Sequence, residues 1–531
     1  MLKVTLSFSL LLNLLSSGTL DPQEEVDSVE TEDNYGVTAS HPLAAEAGME
    51  VLENGGNAAD AAVAVSYALS VVEPFGSGIG GGGQALHLDS DEETPSVYDY
   101  KVTAPSKDEK NGKVTGVPGF VEGMDTLHSE HGSASFDDLI DPAIELAEDG
   151  FEVDPILAER LDGAISRVDV EELDHFYPDE EPIESGETLK QEELADTLTK
   201  IKEDGASTFY EGELGESFTD EFPHVDAEDL EDYEVTEPEP VQGEVNGGTI
   251  FSASPPLSGV PFVQSLKLAE HLDIEETEDD ETQFAHLMSE ISRVTNNDKI
   301  NEVGDPSNED VDADELVSDD YIEELADEIS TTDLGTDSAG EDEAAEDENT
   351  DTTHFVVVDE EGTMVSATNT LSNFFGSGEY VDGYFANNSD KYFSDLSSSP
   401  NSYEPGKKAR SSTAPSIFVN DDRILGIGTP GGQRIPNVMT QVLARNFYFD
   451  ETLEEAVDEK RFHGYKGTFF AEPGLSEDVT DDMEERGYSI RTNHHTMFFG
   501  GIQALEVDAE DGSVTGIADE RRGGKWDSTN K

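Results

Sequence analysis

The sequence predicts a mixed α+β fold, and three stretches carry this prediction. Residues 58–72 are so rich in Ala and Val that they predict a helix buried on every side. Residues 354–359 and 364–370 predict a β-hairpin around a turn at 360–362. Between these regions, half or more of residues 337–351 are acidic and none is basic, which predicts a disordered break in the chain.

Further helices and strands are predicted on both sides of that break. Ser40 is expected to cap a helix that has Pro42 in its first turn. The other predicted helices cover residues 136–147, 156–165, 260–271, 283–294 and 435–447. The other predicted strands fall in 84–103, 249–254, 416–419, 424–427 and 501–517.

The charge of the chain limits its partners. The 531 residues include 122 acidic and 29 basic side chains, for a formal net charge of −93. This excludes a general nucleic-acid binder and argues against docking on anionic lipid. Self-repulsion of this size destabilises a compact fold, but in molar salt the screening length falls to about 3 Å. The composition therefore predicts a salt-accumulating halophile as host. A disordered acidic protein is the alternative, and 25 Phe and 15 Tyr in ordered apolar patterns argue against it.

The first 34 residues are interpreted as a candidate signal segment followed by an acidic leader. The apolar run 4–12 is too short for a membrane span but suits the core of a signal peptide. Export or a cell-surface location is therefore expected. The alternative is a mis-assigned start codon and a cytoplasmic protein. No later stretch is long and apolar enough to span a membrane.

The sequence gives little indication of a metal or of an organic cofactor. The absence of cysteine excludes disulfides, thiolate catalysis and Cys-ligated zinc. His494 and His495 are adjacent rather than three or four residues apart, so a metal site there is not expected. No metal or organic cofactor is predicted.

Thr352 is the main candidate for chemistry. The acidic tail ends at Asp351 and runs directly into Thr352 and a hydrophobic strand. If the chain breaks before Thr352, its new α-amino group, with a pKa of about 7.7–8.0, becomes a base beside its own hydroxyl. The same hydroxyl can make the break by attacking the Asp351 carbonyl to form an ester that water hydrolyses. The alternative is that Thr352 merely opens a strand.

Two loops offer groups that would assist such a nucleophile. Gly431 and Gly432 lie between a predicted strand and helix, where bare backbone N–H groups can hold an oxyanion. Ser411 and Ser412 offer adjacent hydroxyls that can bind a carboxylate. Each loop also has a purely structural interpretation: the glycines can form a tight turn, and the serines can lie in an ordinary loop.

Several motifs, taken together, resemble the γ-glutamyltransferases, also called γ-glutamyl transpeptidases or glutathione hydrolases. They occur in the family's order over about residues 35–526. The matching stretches are 40–44, 54–62, 72–74, 77–83, 304–306, 352–354, 358–362, 411–412, 430–432 and 516–519.

The resemblance implies a four-layer αββα sandwich of the N-terminal-nucleophile hydrolase type. A precursor would cut itself into a large subunit, 35–351, with a disordered acidic tail from about 337, and a small catalytic subunit, 352–531. Thr352 would be the nucleophile and its amine the base. Thr370 would activate it, Gly431 and Gly432 would form the oxyanion hole, and Ser411 and Ser412 would bind the substrate α-carboxylate.

Four positions depart from the family pattern. Lys101 stands where Arg usually binds the α-carboxylate, and it loses the bidentate fork. Tyr392 stands where Asp usually binds the α-amino group. Ser372 and Ser389 occupy positions where Asn and Gln or Glu are common. The segment 394–409 is shorter than many family lids, which predicts a more open site.

The resemblance implies an acyltransferase and peptide hydrolase acting on glutathione or other γ-glutamyl amides, with water or an amino acid or peptide as acceptor. Because of Lys101 and Tyr392, a glutaryl-type N-acyl amidase with the same nucleophile remains an alternative. A non-catalytic binding protein of the same fold is the third.

Overall fold

The computed structural model describes residues 34–107, 114–335 and 350–529. The helices in this part are α1 Pro42–Glu53, α2 Ala58–Val72, α3 Phe120–His131, α4 Phe136–Asp149, α5 Pro155–Ala164, α6 Glu192–Asp204, α7 Ser207–Tyr210, α8 Glu213–Glu221, α9 Ala227–Glu231, α10 Gly259–His271, α11 Glu281–Glu302, α12 Ala313–Leu316, α13 Asp319–Ala326, α14 Ile435–Tyr448, α15 Leu453–Asp458 and α16 Glu477–Glu485. None of the helices in these ranges is long and apolar enough to cross a bilayer.

The strands of the same ranges are β1 Gly36–Ala39, β2 Gly82–Leu88, β3 Ser96–Tyr100, β4 Phe151–Glu152, β5 Thr188–Leu189, β6 Val241–Val245, β7 Gly248–Ser252, β8 Thr350–Val358, β9 Met364–Asn373, β10 Tyr380–Val381, β11 Tyr384–Phe385, β12 Ser416–Val419, β13 Arg423–Gly428, β14 Phe462–Tyr465, β15 Thr468–Ala471, β16 Ser489–Thr492, β17 Gln503–Asp508, β18 Val514–Ala518 and β19 Lys525–Ser528.

Two six-stranded sheets form the centre of the molecule. The first has the order β19-β1-β8-β9-β2-β3, and the second has the order β18-β17-β13-β12-β7-β6. Neighbouring strands run antiparallel throughout both sheets. The first sheet therefore combines strands from both ends of the chain with the hairpin β8–β9 at its middle.

The sheets stack face to face between two layers of helices. Side chains such as Val356 and Met364 from the first sheet meet Ile417 and Leu505 from the second in one buried cluster. A large core joins the other face of the first sheet to α1, α2 and α4. A third core joins the second sheet to α10 and α14. The predicted four-layer αββα sandwich is confirmed.

The buried helix α2 packs on the sheet that contains the hairpin β8–β9. All fifteen of its residues are buried, as its composition predicts. Asn57 and Asp60 form a capping box that starts the helix. The buried Asp60 carboxylate also accepts bonds from the backbone of Ser133 and Ala134. Helix α2 is thus fixed at its N-terminus while its apolar faces cover the sheet.

The prediction that Ser40 caps α1 is wrong. His41 is the capping residue, and its Nδ1 accepts a bond from the Leu43 N–H at 3.2 Å. The Ser40 hydroxyl instead donates to the Glu73 carboxylate at 2.7 Å. A buried carboxylate without hydrogen bonds costs more free energy than an unpaired N–H group at a helix end. The N–H groups of a helix end can also be bonded by other side chains.

The predicted hairpin is confirmed, but β8 begins earlier than predicted. Thr350 and Asp351 pair with Asn373 and Ser372 in the sheet. The prediction that the disordered segment reaches Asp351 is therefore wrong for its last two residues, since β9 supplies partners for their backbone. The remainder of that segment, 337–349, and the candidate signal segment lie outside the described residues. The helices predicted at 136–147, 156–165, 260–271, 283–294 and 435–447 correspond to α4, α5, α10, α11 and α14.

Candidate active site

Thr352 lies at an irregularity in the central hairpin. The pairing of β8 with β9 shifts between Asp351 and Thr353, so Thr352 falls outside the regular register. Its Oγ1 is 3.2 Å from the Oγ1 of Thr370 on β9. Thr352 is 3% exposed, so the peptide bond before it is enclosed by protein. The fold therefore brings together the two threonines that the sequence singled out.

Thr370 links the hydroxyl of Thr352 to the carbonyl before it. The Thr370 hydroxyl donates to the Asp351 carbonyl oxygen at 3.0 Å and accepts from the Ser372 N–H at 2.9 Å. A hydroxyl has only one proton to donate. Because that of Thr370 is directed at Asp351, the proton between the two threonines belongs to Thr352. The arrangement is a relay from the Thr352 hydroxyl through Thr370 to the Asp351 carbonyl.

Two arginines hold the side chain of Asp351. Arg522 donates to its Oδ1, and Arg160 Nε lies 2.8 Å from its Oδ2. Burial alone would raise the pKa of the Asp351 carboxyl, but the two guanidinium groups hold it below its usual value. Arg522 also donates to the Thr352 carbonyl oxygen at 2.8 Å. Both residues that flank the bond between 351 and 352 are therefore fixed by Arg522.

Glu73 is a second buried carboxylate beside Arg522. The closest nitrogen of Arg522 is 3.5 Å from Glu73 Oε2, and Ser40 donates to the same oxygen. Burial raises the pKa of the Glu73 carboxyl, although Arg522 and Ser40 oppose this rise. The pKa of Arg522 itself is raised, since Asp351 and Glu73 outweigh the cost of its burial. Arg522 therefore carries the positive charge between two buried acids.

The predicted oxyanion loop faces the same place. Gly431 and Gly432 have φ angles of 139° and 59°, a region of backbone conformation that favours glycine. They directly precede α14, whose first turn follows at Ile435. Gly431 and Asp351 both line a cavity of about 280 Å³. The other described lining residues include Arg160, Phe374, Arg434, Phe498 and Arg522.

Lys101 and Ser389, two of the predicted binding residues, are in contact. Lys101 Nζ donates to Ser389 Oγ at 3.2 Å. Burial lowers the pKa of Lys101 to about 8, although Asp99 opposes this effect. Burial raises the pKa of the neighbouring Asp390 to about 7, although Lys101 opposes it. Each group therefore favours the charged form of the other against the effect of burial.

The other predicted binding residues are spread around the hairpin. The Tyr392 hydroxyl donates to Asn373 Oδ1, next to the β9 residue Ser372. Ser412 Oγ accepts from Lys299 Nζ at 3.1 Å, and Ser411 Oγ lies 3.2 Å from Thr413 Oγ1. The described lining of the 280 Å³ cavity includes none of Lys101, Ser372, Ser389, Tyr392, Ser411 and Ser412. Thr352, Thr370 and Asp351 are in direct contact, and of these six residues Ser372 joins them through the bond from its N–H to Thr370.

Sequence reasoning missed the arginines of the site. Arg160 and Arg522 come from distant parts of the chain and carry no motif of their own, whereas Arg434 lies two residues after the matched stretch 430–432. One signal was available for Arg522, because it lies three residues after the matched stretch 516–519 in a chain with few basic residues. Arg160 gives no such signal, because it lies in an ordinary amphipathic helix, α5.

Comparison with known proteins agrees with this geometry. The model of the γ-glutamyltranspeptidase family matches residues 44–528. The chain belongs to this family. It is therefore an enzyme with the N-terminal-nucleophile hydrolase fold, and not a non-catalytic binding protein.

Individual relatives carry different names. The chain is 42% identical to the capsule biosynthesis protein CapD proenzyme of Bacillus anthracis, covering 95% of this chain and 93% of the relative. It is 31% identical to the glutathione hydrolase proenzyme of Bacillus subtilis, covering 92% and 90%. The crystal structure of cephalosporin acylase from Bacillus halodurans has a TM-score of 0.85 at 27% identity, covering 96% and 99%. The family shares one fold while its members are named for several acyl-transfer reactions.

Proposed function

We propose that this protein is a γ-glutamyltransferase and γ-glutamyl hydrolase that uses Thr352 as its nucleophile. The precursor cuts itself before Thr352. The mature enzyme then takes the γ-glutamyl group from glutathione or another γ-glutamyl amide and passes it to water, an amino acid or a peptide. The contact between Thr352, Thr370 and the Asp351 carbonyl is the observation that carries this proposal.

The reaction follows from the groups in place. The free amine of Thr352 removes the proton from its own hydroxyl, and the oxygen attacks the amide carbonyl of the donor. Backbone N–H groups of Gly431 and Gly432 stabilise the oxyanion. The C–N bond breaks as the leaving amine takes the proton, which leaves an ester on Thr352. Water or an acceptor amine then attacks the ester and restores the hydroxyl.

Relatives support both outcomes of the second step. The B. subtilis relative is named a glutathione hydrolase, and the B. anthracis relative is titled a transpeptidase enzyme. We therefore propose both hydrolysis and transfer for this chain.

A glutaryl group is a second candidate for the acyl group that Thr352 takes. By the resemblance, Tyr392 stands where a carboxylate would bind the donor ammonium group, and its hydroxyl donates to Asn373. A glutaryl amide lacks that ammonium group. The chain is also 31% identical to the acylase ACY 1 proenzyme of Pseudomonas sp. strain SE83. A glutaryl-type N-acyl amidase is therefore the second proposed function.

Two anilides that differ only in the α-amino group separate these functions. Purified, processed protein is assayed with γ-glutamyl-4-nitroanilide and with glutaryl-4-nitroanilide, with Thr352→Ala as the blank. We expect turnover of the γ-glutamyl compound with kcat/KM at least tenfold above that of the glutaryl compound. Turnover of the glutaryl compound alone would establish the amidase and refute the transferase.

The pH dependence tests the proposed role of Lys101 in binding the α-carboxylate. Its pKa of about 8 means that its charge is lost above that pH. We expect kcat/KM for the γ-glutamyl anilide to fall on the alkaline side with an apparent pKa of about 8. Lys101→Arg should remove this alkaline limb, since arginine stays charged. An alkaline limb that is identical in Lys101→Arg would contradict the role.

A further inference from the structure

His354 lies two residues after the nucleophile on β8, and the proposed reaction gives it no part. Its side chain is fully buried. The ring Nδ1 lies 2.8 Å from Thr368 Oγ1 on β9, whereas Nε2 is buried without a hydrogen-bond partner among the described residues. Burial lowers the pKa of the ring to about 3, so the ring is uncharged near neutral pH. The His354 ring therefore acts on its surroundings mainly through its shape.

Gly428, the last residue of β13, lies directly against this ring. An ideal Cβ atom built on Gly428 would lie 2.3 Å from Cε1 of His354 and 2.5 Å from each ring nitrogen. These nearly equal distances place the face of the ring, and not an edge, over the glycine. The φ angle of Gly428 is not positive, so the backbone itself does not require glycine. It is the ring of His354 that leaves no room for a side chain here.

The neighbouring position on the same two strands makes a similar contact with an apolar side chain. Gly426 lies on the same face of β13 as Gly428, and Val356 lies on the same face of β8 as His354. A Cβ atom on Gly426 would lie 2.6 Å from Val356 Cγ1. Val356 belongs to the apolar cluster between the two sheets. The two pairs thus share one kind of packing, and the pair of His354 and Gly428 is the one nearer in sequence to Thr352.

The contact of His354 with Gly428 is a short connection between the nucleophile and the predicted oxyanion loop, residues 429–432. His354 is two residues from Thr352, and Gly428 is three residues from Gly431. The nucleophile belongs to the first sheet, whereas the loop continues from β13 of the second sheet. The approach of the two strands at this point therefore influences the distance between the reacting groups. A misplacement of about 1 Å can cost about 100-fold in rate.

Thr429 fixes the start of the oxyanion loop immediately after Gly428. Its hydroxyl accepts from the Gly501 N–H and donates to the Pro430 carbonyl oxygen, both at 2.8 Å. Thr429 is itself buried. Because the first residues of the loop are held in this way, we expect the position of the loop to follow that of β13.

We propose that His354 is a positioning residue, which sets the distance between Thr352 and the oxyanion loop through the contact of its ring with Gly428. The proposal rests on the proposed acyl transfer at Thr352 and adds a residue that acts through the loop. It predicts an effect on kcat rather than on KM. The reason is that the oxyanion develops only in the transition state, so its donors do not contribute to ground-state binding.

A methyl group added at Gly428 tests the contact in the processed enzyme. A Cβ contact below 3.0 Å forces the ring or the strand to move. Gly428→Ala should therefore lower kcat for the better anilide substrate at least tenfold and leave KM within twofold. Gly426→Ala is the matched control, because its methyl group meets Val356 instead, and it should leave kcat and KM within twofold of wild type.

The double variant Gly428→Ala, His354→Ala tests whether the ring is the partner of the new methyl group. Its kcat should be at least threefold above that of Gly428→Ala, because the methyl group then enters the space of the ring. Equal kcat values for Gly428→Ala and Gly426→Ala, or no gain in the double variant, would overturn the proposal.

Hydrogen exchange of the uncut protein gives a second readout if Gly428→Ala does not fold or cut itself. In the Thr352→Ala background, His354→Ala should speed amide exchange in residues 429–434 at least tenfold. Val356→Ala, a similar truncation on the same face of β8, should leave it within twofold. If no anilide is turned over yet exchange rises only in His354→Ala, the proposed function fails and the positioning role stands. If anilides are turned over and both variants exchange equally, the positioning role fails and the function stands.

Discussion

Arg522→Met is expected to lower the free energy of unfolding of the precursor by about 3–5 kcal/mol. Arg522 is 2% exposed and pairs with two buried carboxylates, Asp351 and Glu73. Removing the cation leaves the buried Glu73 carboxylate without this counter-charge and leaves Asp351 with Arg160 alone. The pKa of Asp351 should then rise, since burial is opposed mainly by Arg522.

Denaturant unfolding in the Thr352→Ala background measures this effect on a single uncut chain. Lys525→Met is the matched control, because Lys525 is a partly exposed cation paired with Glu46. We expect a change below about 1 kcal/mol for that control. The loss of unfolding free energy for Arg522→Lys should lie between those of the two Met variants. Lysine keeps the positive charge but cannot form the two parallel hydrogen bonds of a guanidinium group. A loss for Arg522→Met no larger than that for Lys525→Met would show that Arg522 is not the counter-charge we describe.

Thr370→Val is expected to slow self-cleavage by about 10²–10³-fold. Valine keeps the shape of threonine but removes the hydroxyl that donates to the Asp351 carbonyl and accepts from Thr352. In the first step the Thr352 proton passes to Thr370, the Thr370 proton passes to the carbonyl oxygen, and Thr352 Oγ1 bonds to the Asp351 carbon. Valine can neither accept nor donate a proton in this step.

The rate is followed on denaturing gels as the precursor band disappears. Thr370→Ser keeps a hydroxyl and should cut within about tenfold of the wild-type rate. Circular dichroism of the uncut Thr370→Val protein checks that it is folded. Cleavage of Thr370→Val at the wild-type rate would rule out the relay and leave Thr370 with a packing role.

Local sequence patterns were sufficient for most elements of the fold. The richness in Ala and Val predicted α2, and two apolar stretches around a turn predicted the hairpin β8–β9, because these features depend on near neighbours in the chain. The order of the strands in the two sheets depends on contacts between distant segments. The resemblance to a known family implied the four-layer architecture but no strand order, and β19 beside β1 is an example that no local pattern shows.

The residues of the site could be predicted from the sequence where they lie in a recognisable motif, but not elsewhere. Thr352, Thr370 and Gly431 lie in recognisable stretches, and the fold brings them together. Arg160 reaches Asp351 from α5, and Arg522 reaches it from the far end of the chain. A single sequence gives no information on such pairings, since any of the 122 acidic side chains could have been the partner of either arginine. The same limit explains why Ser40 was assigned to a helix cap rather than to Glu73.

Intact mass spectrometry of the purified wild type and of Thr352→Ala tests the central claim most directly. We expect two wild-type polypeptides, the smaller of which begins at Thr352, and a single uncut chain for Thr352→Ala. The small piece should carry a free amine on threonine. A wild type that stays in one piece, or a small piece that begins at any other residue, would contradict the assignment of Thr352 as the nucleophile.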